Sequence, residues 1–406
     1  MSTEMTGQIF TPGTILARGR TVFNETNIPS SMYHARIERI QQHLRTKRVN
    51  ALVVAGEAFD QGSYAYITGN LETLWRPRKT NYAVVPSKGD PIMFTSGGQR
   101  ELPFLKTQTW ITDIRIVRQA LLDVVDCIKS FAANPTRIGL VGLGPSKRAE
   151  AYRALQSQLG GFKFVHLDAF LERLRRVKDD REIAQVRKAC RALDLEHETL
   201  LRNLNTGVKD HEAEAKADRM ARLEGARDAK SLWAAGPEGH PVLIPSRERA
   251  FTKGDNIAWF ATVEYGGYWA EIGRDFSVGE PSEALAKMHN AAIGVLERCI
   301  ATIKPGINVS KLYHEIQRGL EASGYGANVQ RDYGFGHAIG LDRAEKPFVD
   351  SSTKDVTQDG MVFSLRIPLY REKVGSVLVG DTVRVTEDGS ESLTKANREL
   401  AVLALS

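Results

Sequence analysis

The chain is poor in cysteine and has no long apolar run. Its 406 residues include only three cysteines, Cys127, Cys190 and Cys299, which stand far apart. Their spacing fits neither a metal-binding motif nor a disulfide framework, and it favours a reducing compartment. No stretch reaches the roughly 18 apolar residues of a membrane span, so we expect no contact with a membrane. The opening residues MSTEMTGQIF lack a charged segment followed by an apolar one, so we expect no secretory leader and a cytoplasmic location.

Blocks of basic residues are absent as well. The 55 Lys and Arg residues are interspersed with 49 Asp and Glu residues, which leaves a net charge of +6. Because no basic block stands out, nucleic acid is not expected as a partner. The mild positive excess is compatible with a small anionic substrate.

Hydrophobic residues make up 42% of the chain, and at roughly 100–200 residues per domain its length favours two domains. In residues 1–168, short apolar runs alternate with amphipathic stretches. This alternation predicts a small α/β domain. The helix is expected at 33–47 and the strands at Ala51–Ala55, Asn81–Pro86, Pro91–Thr95 and Ile138–Val141.

Residues 169–406 follow a different pattern. Apolar residues recur at spacings of three and four over Asp180–Asn203, which predicts a long helix with His197 on its buried side. Gly266-Gly267 joins two β-rich runs, which indicates a tight hairpin. Helices and antiparallel strands in separate runs predict an α+β domain. Its other elements are expected at Asn256–Tyr265, Tyr268–Val278, Ser282–Ile303 and Ser310–Ser323.

Several phrases of the second domain follow one another in a set order. They are Lys253-Gly254-Asp255, Gly267–Arg274, Ile303–Gly306, Gly334–Asp342, Gly360–Phe363 and Asp381–Gly389. In order and spacing this set resembles the pita-bread family (peptidase family M24), which includes methionine aminopeptidase, aminopeptidase P, prolidase and creatinase. The resemblance implies a pita-bread domain preceded by a smaller creatinase-type domain. It also implies a homodimer in which the first domain of one subunit approaches the pocket of the other.

In the metallopeptidases of this family, two Asp, one His and two Glu hold two divalent metals. The resemblance places these positions, in order, on Phe260, Glu271, His337, Arg366 and Gly380. Divalent ions need several anionic oxygen or imidazole ligands, and a guanidinium stays protonated and cannot ligate. We therefore expect no metal and no other cofactor. The chain resembles most the metal-free creatinase branch, although creatinase has glutamates at the positions of Gly273 and Arg366.

Three residues are candidates for catalysis. His337 lies between glycines, and histidine as a residue type suits general acid–base work; the alternative is a relic histidine that is hydrogen-bonded in the pocket. Glu271 is either a general base or the ion-pair partner of Arg366. His240 resembles the histidine that precedes the first ligand strand in the family, and its alternative is an exposed loop position.

Cationic residues are the main candidates for substrate binding. Arg366 and Arg343 have the planar fork that binds carboxylates. Trp75 and Arg76 lie in a segment that resembles the Phe-Gly-Arg-Pro segment of creatinase, whose partner subunit binds the substrate carboxylate; a surface position is the alternative for Arg76.

Residues on the first hairpin strand complete the predicted pocket. Thr262 and Glu264 share strand parity with Phe260, so all three are expected to face the substrate. For Glu264, the alternative is a solvated position at the rim of the hairpin.

These residues support several hypotheses. The leading one is a metal-independent hydrolase, or a related C–N lyase or cyclase, acting on a small nitrogen-containing metabolite that carries a carboxylate. The second is a non-catalytic pseudo-peptidase that serves as a binding module. The third is a metallo-aminopeptidase or prolidase with altered ligands.

Overall fold

The structure is a computed structural model. It describes residues 23–57, 60–71, 80–118, 120–131, 137–146 and 148–403. The chain divides into two compact units, Met1–Arg175 and Arg176–Ser406. The division follows Arg175, whereas the predicted boundary follows Asp168. Each unit has its own sheet and its own buried core.

The first unit is a six-stranded mixed sheet in the order β4-β3-β2-β1-β5-β6. The central strand β1 pairs antiparallel with β2 and parallel with β5. Its strands are β1 Ala51–Gly56, β2 Asn81–Pro86, β3 Ile92–Ser96, β4 Asp113–Val117, β5 Arg137–Val141 and β6 Lys163–His166. Its helices are α1 Ser30–Thr46, α2 Gly62–Thr68, α3 Leu102–Leu105, α4 Ala120–Ser130, α5 Ala149–Gln158 and α6 Asp168–Arg176, and a 3-10 turn covers Gln99–Glu101.

The second unit is built on a nine-stranded sheet with the main order β11-β10-β12-β13-β9-β8-β7. Its helices are α7 Asp180–Asn203, α8 Asp210–Glu224, α9 Glu283–Thr302 and α10 Val309–Ala322. Its strands are β7 Asp228–Gly236, β8 Asn256–Tyr265, β9 Tyr268–Val278, β10 Gly336–Ala338, β11 Glu345–Phe348, β12 Val362–Arg371, β13 Gly375–Val385, β14 Ser390–Ser392 and β15 Ala401–Leu403. Short 3-10 turns cover Gly326–Asn328 and Arg331–Tyr333. Both units confirm the predicted fold classes.

Local sequence explains the elements that matter most for the site. Helix α7 is capped by Asp179, whose side chain accepts hydrogen bonds from the Arg181 and Glu182 amides, while the Glu182 side chain accepts from the Asp179 amide. The β8–β9 hairpin turns on Gly266 and Gly267, both with positive φ, as a two-residue turn between twisted strands requires. This hairpin fixes the register that pairs Thr262 with Glu271.

Helices cover the sheet of the second unit and bury its core. Helices α9 and α10 pack with β12 and β13 around side chains such as Met288, Leu296 and Phe363. Helix α7 packs on β8 and β9, where the ring of His197 lies near the rings of Trp259 and Phe276. In the described part of the chain, no helix is both long and apolar enough to cross a membrane.

Candidate functional site

Two adjacent rows of side chains cross the central strands of the second unit. In the first row, Phe260 pairs with Gly273, Gly273 with Gly380, and Gly380 with Arg366. Residues that lie opposite one another on neighbouring strands share a face of the sheet, so these positions on β8, β9, β13 and β12 line one surface.

The second row lies two residues along each strand and is polar. Thr262 pairs with Glu271, and the Thr382 hydroxyl donates to the Glu271 carbonyl while accepting from the Glu271 amide. Thr382 pairs with Ser364, and Ser364 pairs with His337. The alternation of strands thus brings an acid, a histidine and hydroxyl groups from β9, β10, β12 and β13 to one place.

Glu271 is the centre of this arrangement, and its side chain is fully buried. Its Oε2 accepts from the Ser364 hydroxyl at 2.6 Å and from Arg366 Nη1 at 3.1 Å. Its Oε1 accepts from Arg343 Nη1 at 3.1 Å, and His337 Nε2 lies 3.4 Å from Oε2. Each carboxylate oxygen is therefore held by one guanidinium.

The charges around Glu271 decide its ionisation. Burial by itself raises the pKa of this carboxyl, but the hydrogen bond and charge of His337, together with Arg366 and Arg343, lower the pKa to about 2. Glu271 consequently stays ionised at neutral pH and acts as a hydrogen-bond acceptor, not as an acid. Two guanidinium groups share this one carboxylate, which leaves positive charge at the site.

His337 is buried next to Glu271 and is oriented by the backbone. Its Nδ1 lies 3.0 Å from the Ala338 carbonyl oxygen, so Nδ1 carries a proton and donates it. The other nitrogen, Nε2, is directed at Glu271 and lies 3.5 Å from Arg366 Nη1. The Phe348 ring stands edge-on to the imidazole at 6.3 Å and is 44% exposed.

Arg366 is anchored at both ends of its guanidinium. Nε and Nη2 donate to the Tyr333 carbonyl at 3.0 and 2.8 Å, and Nη1 donates to Glu271. The group lies 5.7 Å above the Phe260 ring, a cation–π contact. Burial lowers the pKa of Arg366, Glu271 raises it and Arg343 lowers it; the group still stays charged. Arg343 is 52% exposed in its side chain and is the more accessible cation.

Other candidate residues lie outside this group. Glu264 is buried at the end of the hairpin, where it pairs with Arg227 and accepts from the Gly267 amide. The solvated rim position considered for Glu264 is therefore wrong. The Thr262 hydroxyl donates to the Ala270 carbonyl at 3.1 Å. The sheet places Thr262 beside Glu271, whereas the partners of Glu264 hold that side chain in the turn.

His240 is fixed by the backbone of its own loop. Its Nδ1 lies 2.8 Å from the Val242 carbonyl oxygen, and its backbone bonds the Ser376 hydroxyl at the start of β13. Among the hydrogen bonds of the described residues, none joins His240 to Glu271 or His337. Trp75 and Arg76 lie outside the described residues.

Two parts of the site were not predicted from the sequence. Ser364 stands two residues before Arg366 on β12, so strand parity alone places both on one face. The Tyr333 carbonyl, which accepts hydrogen bonds from Arg366, belongs to a 3-10 turn. Because it is a backbone group, the type of residue at this position gives no indication of its role.

The residues present do not fit the two-metal centre that the family implies. Of the five ligand positions only Glu271 and His337 keep a ligand, and Glu271 is already bound by two guanidinium groups. Asp381, next to Gly380, lies in a separate ion-pair network with Arg274 and Arg398. Within the ranges that the structure describes, no group of three or more His, Cys, Asp or Glu residues could hold a metal ion.

Fold and sequence together define the class of protein. A creatinase-type α/β unit precedes a pita-bread unit. Residues 184–387, half of the chain, match the model of metallopeptidase family M24, and residues 36–177 match the creatinase/prolidase N-terminal domain. The chain belongs to metallopeptidase family M24, a family of hydrolytic enzymes.

Individual relatives point the same way. An Xaa-Pro dipeptidase of Pyrococcus furiosus is 24% identical over 87% of this chain and 93% of its own length. An uncharacterized hydrolase/peptidase of Sinorhizobium fredii is 26% identical over 92% of this chain and 97% of its own length. The structure of an Xaa-Pro dipeptidase from Bacillus anthracis is similar in fold, with a TM-score of 0.79 and 22% identity over 91% of this chain and all of that one.

These comparisons correct the leading hypothesis. A metal-independent hydrolase, lyase or cyclase acting on a small metabolite is wrong as the main interpretation, because half of the chain matches a metallopeptidase family and the Pyrococcus furiosus relative is named an Xaa-Pro dipeptidase. The resemblance to the metal-free creatinase branch is not supported either. The comparisons agree better with the alternative of a peptidase with altered ligands.

Proposed function

We propose that this chain is an M24-type peptidase with an altered ligand set, which acts on short peptides bearing a free carboxylate. The observation that carries the proposal is the pair Arg343 and Arg366, whose guanidinium groups share one carboxylate, Glu271. An incoming carboxylate supplies the missing negative charge, and a guanidinium fork binds it through paired N–H donors. Arg343, half exposed, is the group that a substrate reaches first.

The remaining residues of the site have separate roles around that contact. Glu271 is ionised and holds both cations in place, so it orients the site without giving up a proton. His337 Nε2 faces Glu271 and is the group able to exchange a proton with a bound peptide. Since the residues do not fit a two-metal centre, no step is assigned to a metal. The curated names of the relatives support dipeptides of the Xaa-Pro type as the first substrates to test.

The test uses the full chain and a matched pair of peptides. Leucyl-proline and its C-terminal amide are incubated with the protein as purified, with EDTA, and with added Mn²⁺, Zn²⁺ or Co²⁺, and proline release is measured. Elemental analysis of the purified protein accompanies each arm. Hydrolysis with preference for the free acid supports the proposal. Binding without turnover in every arm overturns it and leaves a pseudo-peptidase that binds peptides.

We also propose a cytoplasmic homodimer, in which Arg76 and Trp75 of one subunit approach the site of the other. The family resemblance, which includes a creatinase/prolidase N-terminal domain over residues 36–177, supports the dimer, and the wide spacing of the three cysteines supports the location. Light scattering coupled to size-exclusion chromatography tests the dimer. A monomer at every protein concentration contradicts it.

A further inference from the structure

Arg343 reaches Glu271 from the turn that joins β10 to β11. The turn lies between Ala338 and Glu345, two residues that pair with each other across the strands. More than half of the Arg343 side chain is exposed, and Nη1 donates a 3.1 Å hydrogen bond to Glu271. Ordering a long, exposed side chain costs conformational entropy. The position of the Arg343 guanidinium therefore depends on where the backbone of the turn places it.

A buried ion pair lies under this turn. The Lys178 Nζ atom is 2.9 Å from Glu345 Oε2, and the two side chains are only 1% and 8% exposed. Nζ also donates to the Arg176 carbonyl at 3.3 Å. Lys178 comes from the segment before α7, and its own amide donates to the Gly360 carbonyl, so the lysine is fixed at its base.

The ion pair is connected to the backbone beside Arg343. The second oxygen of Glu345, Oε1, accepts from the Asp342 amide at 3.1 Å. The turn closes so tightly around the pair that a Cβ atom on Gly340 would lie 2.7 Å from Lys178 Cε and 2.9 Å from Glu345 Oε2. The path from Lys178 to Arg343 is thus one ion pair, one hydrogen bond and one peptide unit.

We infer that Lys178 is a positioning residue for carboxylate recognition. It holds Glu345, Glu345 holds the Asp342 amide, and the turn then presents the Arg343 guanidinium between Glu271 and the ligand. Lys178 itself contacts neither Glu271 nor His337 in the described structure. This inference rests on the proposed function for the ligand, but the placement of Arg343 against Glu271 can be tested without any ligand.

The first arm of the experiment measures coupling in stability. Lys178→Met, Arg343→Met and the double variant are unfolded in urea, with Arg176→Met as the control. Arg176 lies two residues before Lys178, and its side chain pairs with Asp355, a residue outside the turn. If Lys178 positions Arg343, the losses in urea midpoint are not additive, since the Arg343–Glu271 bond is already weakened in Lys178→Met. Additive losses overturn the inference.

The second arm measures binding of leucyl-proline and its amide by calorimetry. We expect Lys178→Met to weaken binding of the acid roughly tenfold, as Arg343→Met does, and to leave the amide unchanged. Lys178→Met adds no further loss in the Arg343→Met background. An equal loss for acid and amide indicates a general structural role and overturns the inference. If Arg343→Met binds both peptides as the wild type does, the proposed function fails while the first arm still decides the role of Lys178.

A second variant covers the case in which Lys178→Met does not fold. Lys178→Met combined with Glu345→Met removes both buried charges, a change that proteins often tolerate. It also removes the acceptor for the Asp342 amide. Selective loss of acid binding in this folded double variant supports the inference, and wild-type discrimination between acid and amide overturns it.

Discussion

Arg366 and Gly380 lie directly opposite each other on β12 and β13, and a Cβ atom on Gly380 would lie 3.0 Å from Arg366 Cβ and 2.8 Å from the Leu365 carbonyl oxygen. Because Gly380 has no side chain, there is room for the Cβ atom of Arg366 beside it. Two of the family's metal-ligand positions are thus neighbours in this sheet, and neither carries a ligand. A single acidic side chain introduced at position 380 would therefore clash with Arg366 and the neighbouring backbone.

Replacing Gly380 by Glu should destabilise the protein without creating a metal site. The new Cβ forces β12 or Arg366 to move, and overpacking of this kind costs about 1–3 kcal/mol. Chemical unfolding and Mn²⁺ calorimetry measure the two effects. Gly160→Glu is the control, because a Cβ there meets nothing within 4 Å. Tight Mn²⁺ binding by the Gly380→Glu variant contradicts our description of the site.

The elements that carry one strong local signal were predicted most accurately. The helix Asp180–Asn203 and the hairpin strands Asn256–Tyr265 and Tyr268–Val278 were predicted with the bounds that the structure has. Each has a capping residue, an apolar period or a two-glycine turn that does not depend on distant contacts. Strand β7 was missed: its buried positions alternate over Asp228–Trp233 but include the polar Ser231, and the alternation breaks at Ala234.

The site was harder to predict than the fold. Strand parity correctly puts Thr262 and Glu264 on one side, yet Glu264 is drawn into the turn by Arg227, a residue outside every motif. The Arg366 contact with the Tyr333 carbonyl depends on where a 3-10 turn lies in space. Such partners are far apart along the chain, so no local sequence pattern predicts them.

Removing the buried arginine should weaken recognition of the carboxylate. In Arg366→Met, Glu271 keeps Arg343 and Ser364 as donors, but the second guanidinium is gone. We expect binding of leucyl-proline to fall by roughly tenfold or more, since a charge-assisted hydrogen bond is lost, with little change for its amide. Arg318→Met serves as the control because Arg318 is a solvent-exposed arginine that pairs with Glu315. Equal affinities of wild type and Arg366→Met for the acid contradict the assignment.

Glu271 should make the protein sensitive to acid. Its folded-state pKa of about 2 lies below the usual 4.5. Between these two pH values the unfolded chain is protonated at this carboxyl and the folded chain is not. The stabilisation is complete above pH 4.5 and is lost as pH falls toward 2. It amounts to something on the order of 3 kcal/mol.

Glu271→Gln tests this relationship by urea unfolding at several pH values. The variant leaves Arg366 buried without its carboxylate, so we expect a large loss of stability at pH 7 that shrinks toward pH 3. Glu283→Gln, which alters an exposed pair with Lys287, should have little effect at either pH. A loss that is the same at pH 7 and pH 3 would refute the charge assignment at Glu271.

Glu196 on α7 shows the opposite behaviour. The residue is fully buried, and both of its carboxylate oxygens lack a hydrogen-bond partner among the described residues. Burial raises its pKa well above the usual value, Asp218 and Glu214 raise it further, and Arg222 lowers it. The folded chain then holds this proton more tightly than the unfolded chain, so ionisation costs stability as pH rises from about 4.5 through the raised folded-state pKa.

Glu196→Gln removes that cost while keeping the size of the side chain. We expect the variant and the wild type to be similarly stable near pH 4.5, and the variant to be increasingly more stable toward pH 8, by urea unfolding at each pH. Glu198→Gln is the matched control, because Glu198 lies on the same helix, is half exposed and pairs with Arg202. If Glu196→Gln and the wild type follow the same dependence of stability on pH, Glu196 is ionised in the folded protein and must have a partner.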